Sequence, residues 1–102
     1  MKPFTAALIL LAGSAGSLSA SAADLVRGQK VYETHCISCH GAHGVSVAPG
    51  APNFARGETL MQQDMQLLQS VKLGKMMQPP FFGILSDQEI TDAIAYARTL
   101  YK

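Results

Sequence analysis

The sequence predicts an all-α domain. Apolar residues recur at helical spacing in three separate segments, and Gly- and Pro-rich loops divide those segments from one another. No stretch after the first 22 residues alternates convincingly as a strand.

The elements follow in order. Lys2, the run FTAALILLA at 4–12 and the small-residue stretch ending Ala20-Ser21-Ala22 have the three parts of a secretory signal. The greasy run is well short of the ~20 residues that a membrane-crossing helix needs. Cleavage before Ala23 is expected, with an uncleaved anchor at the outer face of the inner membrane as the alternative. No cysteine at the junction suggests lipid attachment. Residues 1–22 are thus read as a signal peptide and 23–102 as one domain of the 102-residue chain.

Asp24 is a suitable N-cap for the first helix, along which Gly28, Tyr32 and Cys36 recur every fourth residue. The second helix is expected over 64–73, with Leu67, Leu68 and Val71 on one face and Gly74 as its stop. Ser86-Asp-Gln-Glu89 is a capping box opening the third helix. Its stripe is Ile90, Ala93, Ile94, Ala97 and Leu100 or Tyr101. Capping also explains Asp87 and Glu89 better than acid–base catalysis does.

Charge narrows the function. The chain carries eight Lys or Arg against seven Asp or Glu, and loss of Lys2 leaves the domain formally neutral. A neutral surface disfavours nucleic acid, which requires a basic face, and it disfavours a polybasic membrane contact. A domain this small often needs a staple beyond its core.

The chemistry is concentrated in THCISCHGAHG, residues 34–44, which holds both cysteines and all three histidines. Cys36, Cys39, His40 and His43 could be counted as four zinc ligands. Structural zinc modules instead draw ligands from two separated knuckles, and no second knuckle exists here. A thioredoxin-like disulfide would require a βαβ context that the chain lacks. Cys36-Ile-Ser-Cys-His40 also matches C-x-x-C-H, the attachment signature for c-type haem. Residues i, i+3 and i+4 share a face of a helical turn, so two thiols and one imidazole can meet one planar group. Gly41 would leave room beside it.

With these motifs in place, the chain resembles the small class I cytochromes c, exported bacterial electron carriers, over nearly all of residues 23–102. That family has a glycine four residues before an aromatic, which lies four before the first haem cysteine; Gly28, Tyr32 and Cys36 match. LSDQEITDAIAYARTL looks like its closing helix, with Tyr96 packed where that helix crosses the first at Gly28. The resemblance implies one haem c, attached through Cys36 and Cys39, with iron held by His40. It also implies that the Pro52 carbonyl, twelve residues on, orients the His40 ring. The implied fold has crossing N- and C-terminal helices, a middle helix and haem in a loop-rich crevice.

GKMMQPPFFGIL, residues 74–85, resembles the family's distal loop, whose ligand methionine stands directly before a proline. Here Gln78 occupies that position. Met77 is taken as the distal iron ligand and Met76 as runner-up, with Met61, Gln78 or an open position as the remaining alternatives. Met65, like Met61, reads as core filling near the middle helix. His35 and His43 flank His40 too closely to reach the opposite face. Phe54, Phe81 and Phe82 are expected as apolar walls, and Lys72 and Lys75 border the loop as solvated charges able to orient an acidic partner. The implied function is one-electron carriage between periplasmic or membrane-bound redox proteins such as a dehydrogenase, reductase or oxidase. Contacts would be transient and the protein a monomer. The competing reading is a haem protein with an open or labile distal site, acting as a gas sensor, peroxidase-like enzyme or maturation factor.

Overall fold

The computed structural model describes residues 22–102. Apart from Ala22, the expected signal peptide lies outside the described residues. Four α-helices follow one another: α1 Leu25–His35, α2 Ile37–His40, α3 Asp64–Leu73 and α4 Asp87–Arg98, with a 3₁₀ turn at Phe54–Arg56. Among the described residues there is no β-strand, and no helix is long and apolar enough to cross a membrane.

The helix starts are those the local chemistry requires. The Asp24 carboxylate accepts from Arg27 N at 3.0 Å, and the Ser86 hydroxyl accepts from Glu89 N at 3.1 Å. The Glu89 carboxylate returns the bond by accepting from Ser86 N at 2.8 Å, completing the capping box. Gly74 closes α3 in the left-handed region, at φ +78°. One difference from the expected pattern concerns Cys36. Helix α1 stops at His35, and the haem-motif residues form the separate short turn α2.

α1 and α4 cross at Gly28. A Cβ at that position would lie 2.1 Å from the Asp92 carbonyl oxygen and 3.2 Å from Tyr96 Cβ, so any larger residue would force the helices apart. Tyr32 fills the crossing, with its ring 5.4 Å from that of Tyr96. Its hydroxyl donates to the Gly41 carbonyl at 2.6 Å, and burial pushes its pKa up to about 12. Two apolar clusters flank α4. Tyr32, Leu60, Ala97 and Leu100 lie on one side, and Leu67, Leu68, Ile90 and Ile94 on the other. Leu100 completes the α4 stripe, whereas Tyr101 is exposed.

Asp92 is the polar exception at this crossing, with 0 % exposure. Its carboxylate accepts from Asp24 N at 2.9 Å, Gln88 Nε2 at 2.9 Å and Arg27 Nε at 2.6 Å. Burial alone would push the Asp92 carboxyl up. The hydrogen bonds and the Arg27 charge outweigh burial and hold it below the usual carboxylate range. The start of α1 is thereby clasped to the middle of α4.

Candidate functional site

The crevice sits between α2, α4, the 48–54 loop and the loop that follows α3. It has a volume of about 380 Å³ and a mainly apolar lining. Cys36, Cys39 and His40 all line it on one side, and Met76, Met77 and Gln78 line it from the loop after α3. The structure therefore brings the two halves of the sequence motif set to one cavity.

α2 explains the clustering. His40 N donates to Cys36 O at 3.0 Å and Gly41 N donates to Ile37 O at 2.9 Å, winding the motif into a turn that points both thiols and the imidazole the same way. Gly41 then reverses the chain at φ +82°. A Cβ there would meet the Val45 carbonyl at 1.9 Å, so this glycine admits neighbouring backbone rather than making room in the crevice. His40 is buried, its Nδ1 lies 3.1 Å from the Pro52 carbonyl, and its ring stacks on Phe54 at 4.2 Å. A carbonyl can only accept, so Nδ1 carries the proton and Nε2 keeps the lone pair that a metal could use.

Two alternatives lose ground on this geometry. Among the described residues, no three of His, Cys, Asp or Glu converge on a metal-sized site, so the four-ligand zinc arrangement is not assembled. A redox-active Cys pair needs a low-pKa thiolate. Burial, then the neighbouring Cys39, instead push the Cys36 thiol up to about 11. Both thiols are free rather than joined. A planar, largely apolar group fits this donor set: two free thiols on the wall, one oriented imidazole and an apolar cradle.

Other site residues fall as follows. Phe54 and Phe81 line the crevice as expected. Phe82 does not; it is exposed, with Lys72 Nζ 5.8 Å from its ring centroid. Lys72 is no free charge, because it pairs with Asp87 at 3.1 Å. Met61 and Met65 are exposed rather than core filling, and neither lines the crevice. His35 is half-buried at the crevice edge, edge-on to Phe81 at 5.5 Å, while His43 is exposed.

Sequence reasoning missed three supports. The Asp92 clasp gave no signal, because an aspartate beside an apolar helical stripe usually faces water. Arg98 reaches back to the Leu60 and Gln62 carbonyls at 3.2 and 3.0 Å and pairs with Asp64, fixing the segment before α3. Gln78 donates from its carboxamide to the Ser70 carbonyl at 3.3 Å.

Comparison with known proteins gives a consistent result. Residues 23–96 match the family model described as cytochrome C oxidase, cbb3-type, subunit III. Cytochrome c6 of Thermosynechococcus vestitus is 37% identical over 82 residues, covering 76% of this chain and 71% of that protein. Cytochrome c4 of Pseudomonas aeruginosa is 33% identical over 97 residues, covering 94% of this chain and 47% of that protein. The solved structure of the KustC0563 c-type cytochrome superposes with a TM-score of 0.66 at 28% identity. It covers 74% of this chain and 98% of its own.

Proposed function

The chain belongs to the c-type cytochromes, in the family of the cbb3-type oxidase subunit III domain, and from that membership we propose that its crevice is a His/Met-ligated electron-transfer centre. As a small class I c-type cytochrome it carries covalent haem and serves electron transport. The residue roles, the ligation and the cellular setting are the proposed part. The observation that supports them best is the convergence of both thiols, the Pro52-oriented His40 and Met77 on one apolar cavity.

Haem supplies one-electron chemistry, with iron passing between its ferrous and ferric states. The chain's residues do the rest. Cys36 and Cys39 would hold the cofactor covalently through their thiols, both of which line the crevice. Pro52 accepts from His40 Nδ1, fixing the tautomer and raising the basicity of Nε2 toward the iron. Met77, which lines the crevice from the loop after α3, would offer a neutral thioether, and His/Met ligation would raise the potential. Phe54, Phe81, Leu67 and Ile94 keep water from the site, which raises the cost of the additional ferric charge. Were His40 and Met77 both to hold the iron, the site would favour electron carriage over substrate binding. Residues 1–22 would direct export with cleavage before Ala23, so donors and acceptors would be periplasmic or membrane-bound redox proteins met transiently.

Ligation is tested by spectroscopy on exported, haem-loaded protein. The oxidised form should show the weak near-infrared band of thioether-to-ferric-haem ligation, and the reduced form should bind carbon monoxide slowly. Met77→Ala should abolish the band and open the site, while Met76→Ala keeps both properties. If unmutated protein lacks the band and binds carbon monoxide rapidly, the sensor or peroxidase-like reading replaces the carrier.

A further inference from the structure

The turn that carries the two methionines is tied together in an unusual way. Lys75 N donates to Gln78 O at 3.0 Å and Gln78 N donates to Lys75 O at 2.9 Å, closing a two-residue turn with Met76 and Met77 at its tip. Met76 sits at φ +55°, a left-handed conformation that is disfavoured for a residue with a side chain. Such a conformation persists only where its surroundings over-determine it.

Those surroundings run to the last turn of α3. Gly74 folds the chain back so closely that a Cβ there would lie 2.8 Å from Pro80 N and 2.9 Å from the Gln78 carbonyl. Phe81 N and Phe82 N donate to the Val71 and Lys72 carbonyls, each at 3.1 Å. Between them and the turn stand Pro79 and Pro80, neither of which has an N–H to give. Gly74 N donates to the Ser70 carbonyl at 2.9 Å on the side that enters the turn, but on the side that leaves it the two prolines have no backbone donor for the helix. The Gln78 carboxamide ties that side, through Nε2 to the Ser70 carbonyl.

We propose that Gln78 is the positioning residue of the distal methionine: its carboxamide, held on Ser70, sets the register of the Met76–Met77 tip over the crevice. This rests on the His40/Met77 ligation proposed above. The position is the one where the resemblance places the ligand methionine itself. A side chain there that is committed to α3 leaves the ligand to come from the tip of the turn. The tip then needs an anchor that two prolines cannot provide.

The test compares haem-loaded unmutated protein with Gln78→Leu and Gln78→Asn. Leucine keeps the bulk and loses the donor; asparagine keeps the amide but is one methylene too short to reach Ser70. Three readings are taken on each: the near-infrared band, the carbon monoxide association rate of the reduced form, and thermal unfolding. Both variants should retain covalent haem, lose much of the band and bind carbon monoxide roughly five- to tenfold faster, the factor expected from one hydrogen bond of placement. A lowered unfolding temperature with an unchanged band and rate in either variant would mean that Gln78 is merely structural, and would overturn the proposal. If Gln78→Leu does not mature, Gln78→Asn alone decides. If neither variant matures, the proposal also falls, because Gln78 is then a folding residue. Absence of the band from the unmutated protein would instead remove the ligation reading on which the proposal stands, an outcome separate from a failure confined to the variants.

Discussion

The crossing of α1 and α4 and the turn at 75–78 both face the crevice, yet they are held in opposite ways. At the crossing, Tyr32 and Asp92 are almost wholly buried, and Gly28 is within van der Waals distance of backbone. At the turn, Met76 and Met77 are 95% and 83% exposed, and a few hydrogen bonds to α3 hold the conformation. Packing defines the first region, so it tolerates almost no change of volume. Local bonding defines the second, so its geometry can be altered without disturbing the core. On the proposed reading the division suits an electron carrier: the rigid crossing, through Tyr32 and its bond to Gly41, would steady the haem-motif turn, and the adjustable turn would present the distal ligand.

Substitutions at the crossing should therefore have the largest effects. Gly28→Val places new carbon atoms against the Asp92 carbonyl, and denaturant unfolding of the haem-loaded protein should show a loss of about 3 kcal/mol or more. Unchanged stability would mean that the helices cross less closely than described.

Asp92→Asn comes next. It removes a buried charge bonded to Arg27, Gln88 and the start of α1, and should cost about 2–3 kcal/mol at neutral pH. Its pH dependence has a definite sign. The folded carboxyl titrates below its ordinary value, so its stabilisation is full above that value and is lost as pH falls through the lower folded one. Unfolding curves taken across the acid range should be flatter for Asp92→Asn than for the unmutated protein. Parallel curves would assign the acid sensitivity to other groups.

Ser86→Ala should cost about 1 kcal/mol by removing one half of the α4 capping box, with the visible spectrum unchanged. The smallest effect is expected at the turn. Met76→Gly relieves the left-handed strain and should leave global stability within about 1 kcal/mol, shifted if anything toward the folded chain. A large loss at Met76 would show that the turn is held by packing after all, and the contrast between the two regions would disappear.

The same contrast explains what was legible in the sequence. Asp24, Gly74 and the Ser86–Glu89 box are local signals, so three helix boundaries could be read from neighbours in the chain. The i, i+3, i+4 pattern of Cys36, Cys39 and His40 needs only one turn of helix, and the structure places all three on the crevice. Asp92 with Arg27, and Arg98 with Leu60, Gln62 and Asp64, join residues far apart in sequence whose types fit a solvated surface equally well. Phe82 departs from its expected place for a related reason. Helical periodicity cannot say which side of a Pro-rich loop turns outward, and Phe82 lies outside the crevice with Lys72 close to its ring.

Covalent haem attachment at Cys36 and Cys39 is tested directly by peptide mapping of the exported protein. Cleavage after Lys30 and Arg56 releases the peptide 31–56, which contains both cysteines and His40. The predicted result is that this peptide carries the mass of one haem, absorbs visible light and offers no thiol to alkylation. Recovery of the peptide colourless, at its unmodified mass and with Cys36 and Cys39 both alkylated, from a host that attaches haem to other proteins, would contradict the account.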